Sequence, residues 1–220
     1  MAPKRDNTAR TISWVMAITL IGKVMGLYRD RLLAVRYSVG MEANAFFTAS
    51  RIPRVFFDAV FASAIAACFI PVFSEYLEKQ GRKEAERFAG QFVTVILLLT
   101  GGLSILGMLF PQPLVALFAD YADPATTALA VSLTRVLFPT VLFSGAAFSL
   151  VGILQAQDRF TAPALMSAVS NLAIIVYFLF LDDQFGIYGL AGAYLLGWLL
   201  QALIQLPSLK KTGFVFRPSL

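Results

Sequence analysis

Four cations stand inside apolar runs in the first quarter of the chain: Lys23, Arg29, Arg51 and Arg54. Two carboxylates, Asp30 and Asp58, stand among them. Arg51, Arg54 and Asp58 recur at i, i+3 and i+7, which puts all three on one face of a helix. Asp58 follows Arg54 by four residues and partly neutralises it. Asp30 offsets Arg29 or a neighbour. Four positive charges against two negative ones leave an excess of two. A charge near a bilayer centre costs on the order of 3 kcal/mol, so an apolar setting does not hold that excess without water or a counter-anion. The planar fork of arginine suits phosphate and carboxylate oxygens. The chemistry on offer is the capture of a phosphorylated or carboxylated ligand in a cavity inside a membrane.

Other chemistries find little material. The chain has no histidine, which removes the commonest general base and the commonest metal ligand. No metal-ligand cluster and no carboxylate pair with catalytic spacing is present, so no metal site, cofactor or enzymatic constellation is expected. Cys68 is the single cysteine, so no intrachain disulfide is possible.

These residues need helices to position them, and the composition says which kind. The chain is 58% hydrophobic and 14% charged, with a mean hydropathy of +0.74. Soluble domains are about a quarter charged. A membrane helix needs about 20 apolar residues, and six such stretches are legible, at about 12–37, 43–73, 88–110, 126–155, 162–181 and 187–206. The reading is an all-α, polytopic bundle of six transmembrane helices forming one lobe over residues 1–220. The first run continues past Lys23 to Tyr28 without a small-residue cleavage site, so an uncleaved helix is expected rather than a signal peptide.

Loop charges set the orientation. Lys4, Arg5 and Arg10 precede the first span, and Lys79, Arg82, Lys83 and Arg87 separate the second from the third. Arg159 separates the fourth from the fifth, and Lys210, Lys211 and Arg217 follow the sixth. The opposite loops hold Arg36 with Glu42, Asp120, Asp123, Asp182 and Asp183. The positive-inside rule places both termini in the cytoplasm. The basic residues are split among several loops rather than gathered into one stripe, which argues against nucleic acid as a partner. Arg31 and Arg36 lie near the outer end of the first helix, where they can snorkel to the interface. Arg135 sits in the fourth span, within reach of the outer interface or of the interior.

Several segments resemble one family. Gly22-Lys23-Val24-Met25-Gly26-Leu27-Tyr28-Arg29-Asp30 is similar to the first-helix motif of the MurJ (MviN) lipid II flippases. Asn44-Ala45-Phe46-Phe47 and Arg51-Ile52-Pro53 resemble the start of their second helix. Phe69-Ile70-Pro71-Val72-Phe73-Ser74-Glu75-Tyr76 resembles its cytoplasmic end and is the most specific stretch. Phe138-Pro139, Asp158-Arg159-Phe160 and the run from Gln205 to Lys211 continue the likeness in order.

That resemblance implies a transporter of the multidrug/oligosaccharidyl-lipid/polysaccharide exporter type in the bacterial inner (cytoplasmic) membrane. Such a protein moves an undecaprenyl-pyrophosphate-linked muropeptide, lipid II, from the inner to the outer leaflet by alternating access. The chain resembles the first of two six-helix lobes, so its implied partners are lipid II, membrane lipids, and a missing C-terminal lobe or a second copy. The implied substrate-binding set is Lys23, Arg29, Arg51, Arg54 and Asn44. Lys23 stands where the family usually has arginine, and Asn44 where it commonly has aspartate. Phe57 and Asp58 stand in place of an arginine pair, and Ser63-Ala64 in place of a Glu-Gly. Two alternatives stay open: an exporter of another anionic lipid-linked oligosaccharide, and a membrane enzyme acting on polyprenyl phosphates.

Overall fold

Prolines divide this apolar chain into its helices. The computed structural model describes residues 4–38, 40–62 and 64–214. Ten α-helices and two π-helical segments run through them. Helix α1 spans Lys4–Tyr37 and α2 spans Met41–Phe57. Two π-helical turns follow, Asp58–Ala62 and Ile65–Phe69, and lead into α3 at Ile70–Lys79. Then come α4 (Arg82–Leu109), α5 (Pro111–Phe118), α6 (Pro124–Leu137) and α7 (Thr140–Gln155). The series ends with α8 (Thr161–Phe180), α9 (Asp182–Leu203) and α10 (Leu206–Lys211). Pro111, Pro124 and Pro207 sit in first turns, where the missing N–H is not needed.

Five segments are long and apolar enough to cross a membrane: Thr11–Tyr37, Arg82–Leu109, Pro124–Gln155, Thr161–Phe180 and Asp182–Lys211. The expected span at 43–73 is not among them. That stretch is helical, but π-helical turns and the charges Arg51, Arg54 and Asp58 interrupt it. A π turn widens the helix by one residue and is concentrated at functional sites. The expected fourth span, 126–155, is two helices. Pro139 lacks the N–H that would continue α6, so the ladder breaks after Leu137 and restarts at Thr140. The Phe138 carbonyl accepts from the Val141 N–H at 3.0 Å and from the Ser104 hydroxyl at 3.4 Å. The backbone of α9 breaks at Gly186, which takes φ +53. Ser63 and Arg217 lie outside the described residues.

Helix α1 rests chiefly on α8 and barely touches α2, while α2 packs on α6, α4 on α7, and α9 on both α7 and α8. The core is made by small and branched residues that let helices approach: Ala45, Ala49 and Ile52 of α2 and Ala130, Leu133 and Leu137 of α6 are fully buried. At Gly107 a Cβ would stand 2.1 Å from the Phe138 ring, so α4 passes the α6–α7 break only because that residue lacks a side chain. The exposed surface is rich in Leu, Val, Ile and Phe, as a lipid-facing bundle requires.

Candidate anion-binding site

The site begins with two glycines. A Cβ at Gly22 would lie 3.3 Å from the Ala168 backbone nitrogen, and one at Gly26 would lie 3.2 Å from Asn171 Nδ2. Small residues four apart thus bring the α1 backbone against α8. Between them sits Asn171, only 4% exposed. Its Nδ2 donates to the Gly22 carbonyl at 2.9 Å and its Oδ1 accepts from Arg29 Nη1 at 2.9 Å. Arg29 Nη2 also meets Asp30 Oδ1 at 2.7 Å. One face of the guanidinium is fixed by an amide and a carboxylate, and the group still lines the cavity.

Helix α2 supplies the other charges. Arg54 Nε lies 3.5 Å from Asp58 Oδ2, the i,i+4 pair expected from the spacing. Among the described residues neither Lys23 nor Arg51 has a hydrogen bond or ion pair. Lys23, Arg29 and Arg54 line a cavity of about 660 Å³. Arg29, Arg51 and Arg54 line an adjoining hollow of about 420 Å³. The two share Arg29, Ser50, Arg54, Ile174 and Tyr194 as a common wall. Between them the two adjoining hollows are lined by all four cations and by Asp30 and Asp58; Lys23, Arg51 and Arg54 are exposed on their helices and Arg29 is half-buried. Asn44 does not join them. It lies two turns before Arg51, lines neither hollow, and its carbonyl accepts from the Tyr121 hydroxyl at 3.0 Å.

The remaining cations have structural partners or lie outside the cavity. Arg36 pairs with Asp182 and Asp183, and Tyr37 donates to Asp182 at 2.5 Å. Arg36 is thus a clamp between α1 and the α8–α9 turn rather than a free interfacial anchor. Arg135 Nε donates to the Met108 carbonyl at 3.1 Å, where it caps the last turn of α4. Arg31 is exposed and lines neither hollow.

Sequence reasoning missed Asn171, Ser167, Gln201 and Asp182. The first three sit in spans that read as featureless because they carry no formal charge. A lone amide in an apolar helix is a signal, since an unpaired one is costly there. Asp182 read as a loop carboxylate, yet its side chain is 4% exposed.

Residues 36–220 match the family model described as "Lipid II flippase MurJ". The chain is 30% identical over 213 residues to the lipid II flippase MurJ of Burkholderia cenocepacia, covering 95% of this chain and 41% of that protein. It is 30% identical to the Thermosipho africanus lipid II flippase MurJ, over 90% of this chain and 41% of that one. A solved structure of a lipid II flippase MurJ in an inward closed conformation superposes with a TM-score of 0.74 at 27% identity, over 93% of this chain and 43% of that one. The chain spans about two fifths of the length of the relatives it matches.

Proposed function

The chain belongs to the lipid II flippase MurJ family, and from that premise we propose that its cavity receives the pyrophosphate of a lipid-linked peptidoglycan precursor. The observation that carries this reading is the set of Lys23, Arg29, Arg51 and Arg54 lining two adjoining hollows, with only Asp30 and Asp58 to offset them. An excess of two positive charges among membrane helices favours a ligand of matching negative charge. The polyprenyl tail stays in lipid while the headgroup occupies the cavity.

The chain acts as a transporter and supplies one lobe, with both termini on the cytoplasmic side. A second lobe, or a second copy, closes the face opposite α1 and α2. Transport proceeds by rocking of the two lobes about the site, so that the headgroup faces one leaflet and then the other. Release requires that the cations bind the anion weakly enough to let it go. The membrane potential acts on mobile charge by about 2.3 kcal/mol per unit charge per 100 mV, enough to drive the return step.

The test is reconstitution of the full-length protein in vesicles with fluorescent lipid II. Arg29→Ala combined with Arg51→Ala is expected to abolish flipping. Unchanged flipping in that variant would overturn the assignment. A related exporter would reveal itself in competition binding, by preferring a lipid pyrophosphate with a different glycan.

A further inference from the structure

Helices α8 and α9 enclose a further hollow of about 480 Å³, which shares no lining residue with the two hollows of the anion site. Val169, Leu172 and Val176 line it from α8, and Phe185 and Leu196 from α9. The three α8 residues recur at i, i+3 and i+7 and so share one helix face. Ala168 and Asn171 meet α1 from another face. Leu172, Val176, Phe185 and Leu196 are exposed, so the hollow is a groove open to the lipid. No charged side chain stands among its described lining residues.

Glycine makes the groove deep. A Cβ at Gly189 would stand 2.4 Å from Phe185 Cβ and 2.5 Å from the Tyr177 hydroxyl. At Gly192 a Cβ would meet nothing within 4 Å, so the groove is empty there. Tyr177 supplies the single polar side chain among the described lining residues, and its hydroxyl donates to the Gly186 carbonyl. The side chains therefore offer an occupant hydrocarbon contact and little else.

An unfilled groove forfeits dispersion contacts along its walls. Lipid tails are as apolar as leucine, so another protein helix gains no hydrophobic drive to settle there. A flexible hydrocarbon chain fills an irregular shape more readily. The length fits one leaflet: Val169 to Leu181, which also lines the groove, is about 18 Å of helix, and half of a bilayer core is about 15 Å.

Charge selects the headgroup. The Leu181 end of the groove adjoins Asp182 and Asp183 in the chain. One cation, Arg36, answers both carboxylates, and the Asp183 side chain remains 89% exposed. The other loops read as lying on that side add Glu42, Asp120 and Asp123. An anionic headgroup meets repulsion there, while an ammonium supplies a missing cation.

We propose that the α8–α9 groove seats an acyl chain of an outer-leaflet phospholipid whose headgroup carries an ammonium, and that this ammonium pairs with Asp183. The leaflet follows from the loop charges, which put the α8–α9 turn outside. The site lies apart from the anion cavity and does not depend on what that cavity binds.

The test is native mass spectrometry of the full-length protein in detergent, with phosphatidylethanolamine and phosphatidylglycerol of identical acyl chains in equal amounts. The first lipid retained is expected to be the ethanolamine lipid, by about three- to fivefold. Asp183→Asn should abolish that preference and Asp183→Lys should reverse it. Gly192→Leu, placed where a side chain meets no neighbour, should cut retention of both lipids about tenfold, and Gly192→Ala by less. Equal retention of the two lipids by the parent, or a preference that survives Asp183→Lys, would overturn the proposal. So would unchanged retention in a Gly192→Leu protein that still melts cooperatively. If Gly192→Leu does not fold, the charge reversal at Asp183 decides alone.

Discussion

At one end of α1, Arg36 meets Asp182 and Asp183; two to four turns earlier on the same helix, Arg29 and Lys23 share a cavity with Arg54. The residue types are alike and the balance is opposite. The outer cluster has one cation for two carboxylates, and the Tyr37 hydroxyl adds a further donor. The two hollows together have four cations for two carboxylates. The outer cluster satisfies its own members and ties α1 to the α8–α9 turn. The inner one leaves Lys23 and Arg51 without protein partners among the described residues. Charge count and pairing, rather than the mere presence of arginine in a helix, separate a clamp from a site.

The strongest way to break that contrast is to remove charge from each cluster and ask what is lost. In the cavity, Arg29→Ala with Arg51→Ala deletes two charge-assisted contacts to an anion, and affinity for a lipid pyrophosphate should fall about 100-fold or more. The melting temperature should fall only modestly: Arg51 has no protein partner to strand, and the loss of Arg29 leaves only the Asn171 amide oxygen and Asp30 without their guanidinium. Binding measured by thermophoresis in detergent, beside a thermal scan, checks both halves. A large loss of stability with affinity intact would make the cavity cations structural.

The outer clamp should behave the other way. Asp182→Asn removes the carboxylate that Arg36 and Tyr37 both address. It should lower the melting temperature by about 5 °C while leaving anion affinity within about twofold. The half-exposed Arg36 is still solvated, which keeps the loss moderate. If Asp182→Asn weakens binding more than it weakens the fold, the clamp belongs to the transport machinery and the contrast collapses.

How much of this was legible depended on sequence distance. The Gly22–Asp30 segment and the Arg51–Arg54–Asp58 face could be read because helical periodicity alone groups their residues, and residues of both line two adjoining hollows. The Arg54–Asp58 pair followed from i,i+4 spacing. The Arg36–Asp182 pair joins residues far apart in the chain, and no local rule predicts it. Pro139 was placed inside a span, because hydropathy continues smoothly across a break that only the missing N–H creates. The π-helical turns at Asp58–Ala62 and Ile65–Phe69 left no compositional mark. Asn44 was grouped with the cations by likeness to a motif, yet it lies at the far end of α2 from them, at the Tyr121 contact.

A smaller effect sharpens the comparison from inside the cavity. Asn171 holds Arg29 through one hydrogen bond and the Gly22 carbonyl through another. Asn171→Ala should weaken anion binding about tenfold by freeing the guanidinium. Asn171→Asp should trap Arg29 in a second ion pair and weaken binding further, although it preserves the shape. A steric role alone would make Asp the milder change, so the order of the two variants decides whether Asn171 positions the cation or merely fills space.

The smallest effect concerns a carboxylate that needs no cation. Asp123 caps α6, accepting from the Ala125 and Thr126 backbone N–H groups at 3.2 and 3.1 Å and from the Thr126 hydroxyl at 2.8 Å. Those donors, the Thr126 hydroxyl foremost, hold its carboxyl below the usual aspartate value. Because the folded state lowers that value, the contribution to stability is present above the ordinary aspartate range and is lost as pH falls through the lowered one. Asp123→Asn keeps an acceptor but removes the charge at the positive end of the helix. The variant should therefore melt slightly below the parent at neutral pH, and the gap should close on acidification as the parent's carboxylate takes up its proton. If thermal scans across pH show a constant gap, the charge of Asp123 adds nothing to the cap beyond hydrogen bonding, and the acceptor alone holds the start of α6.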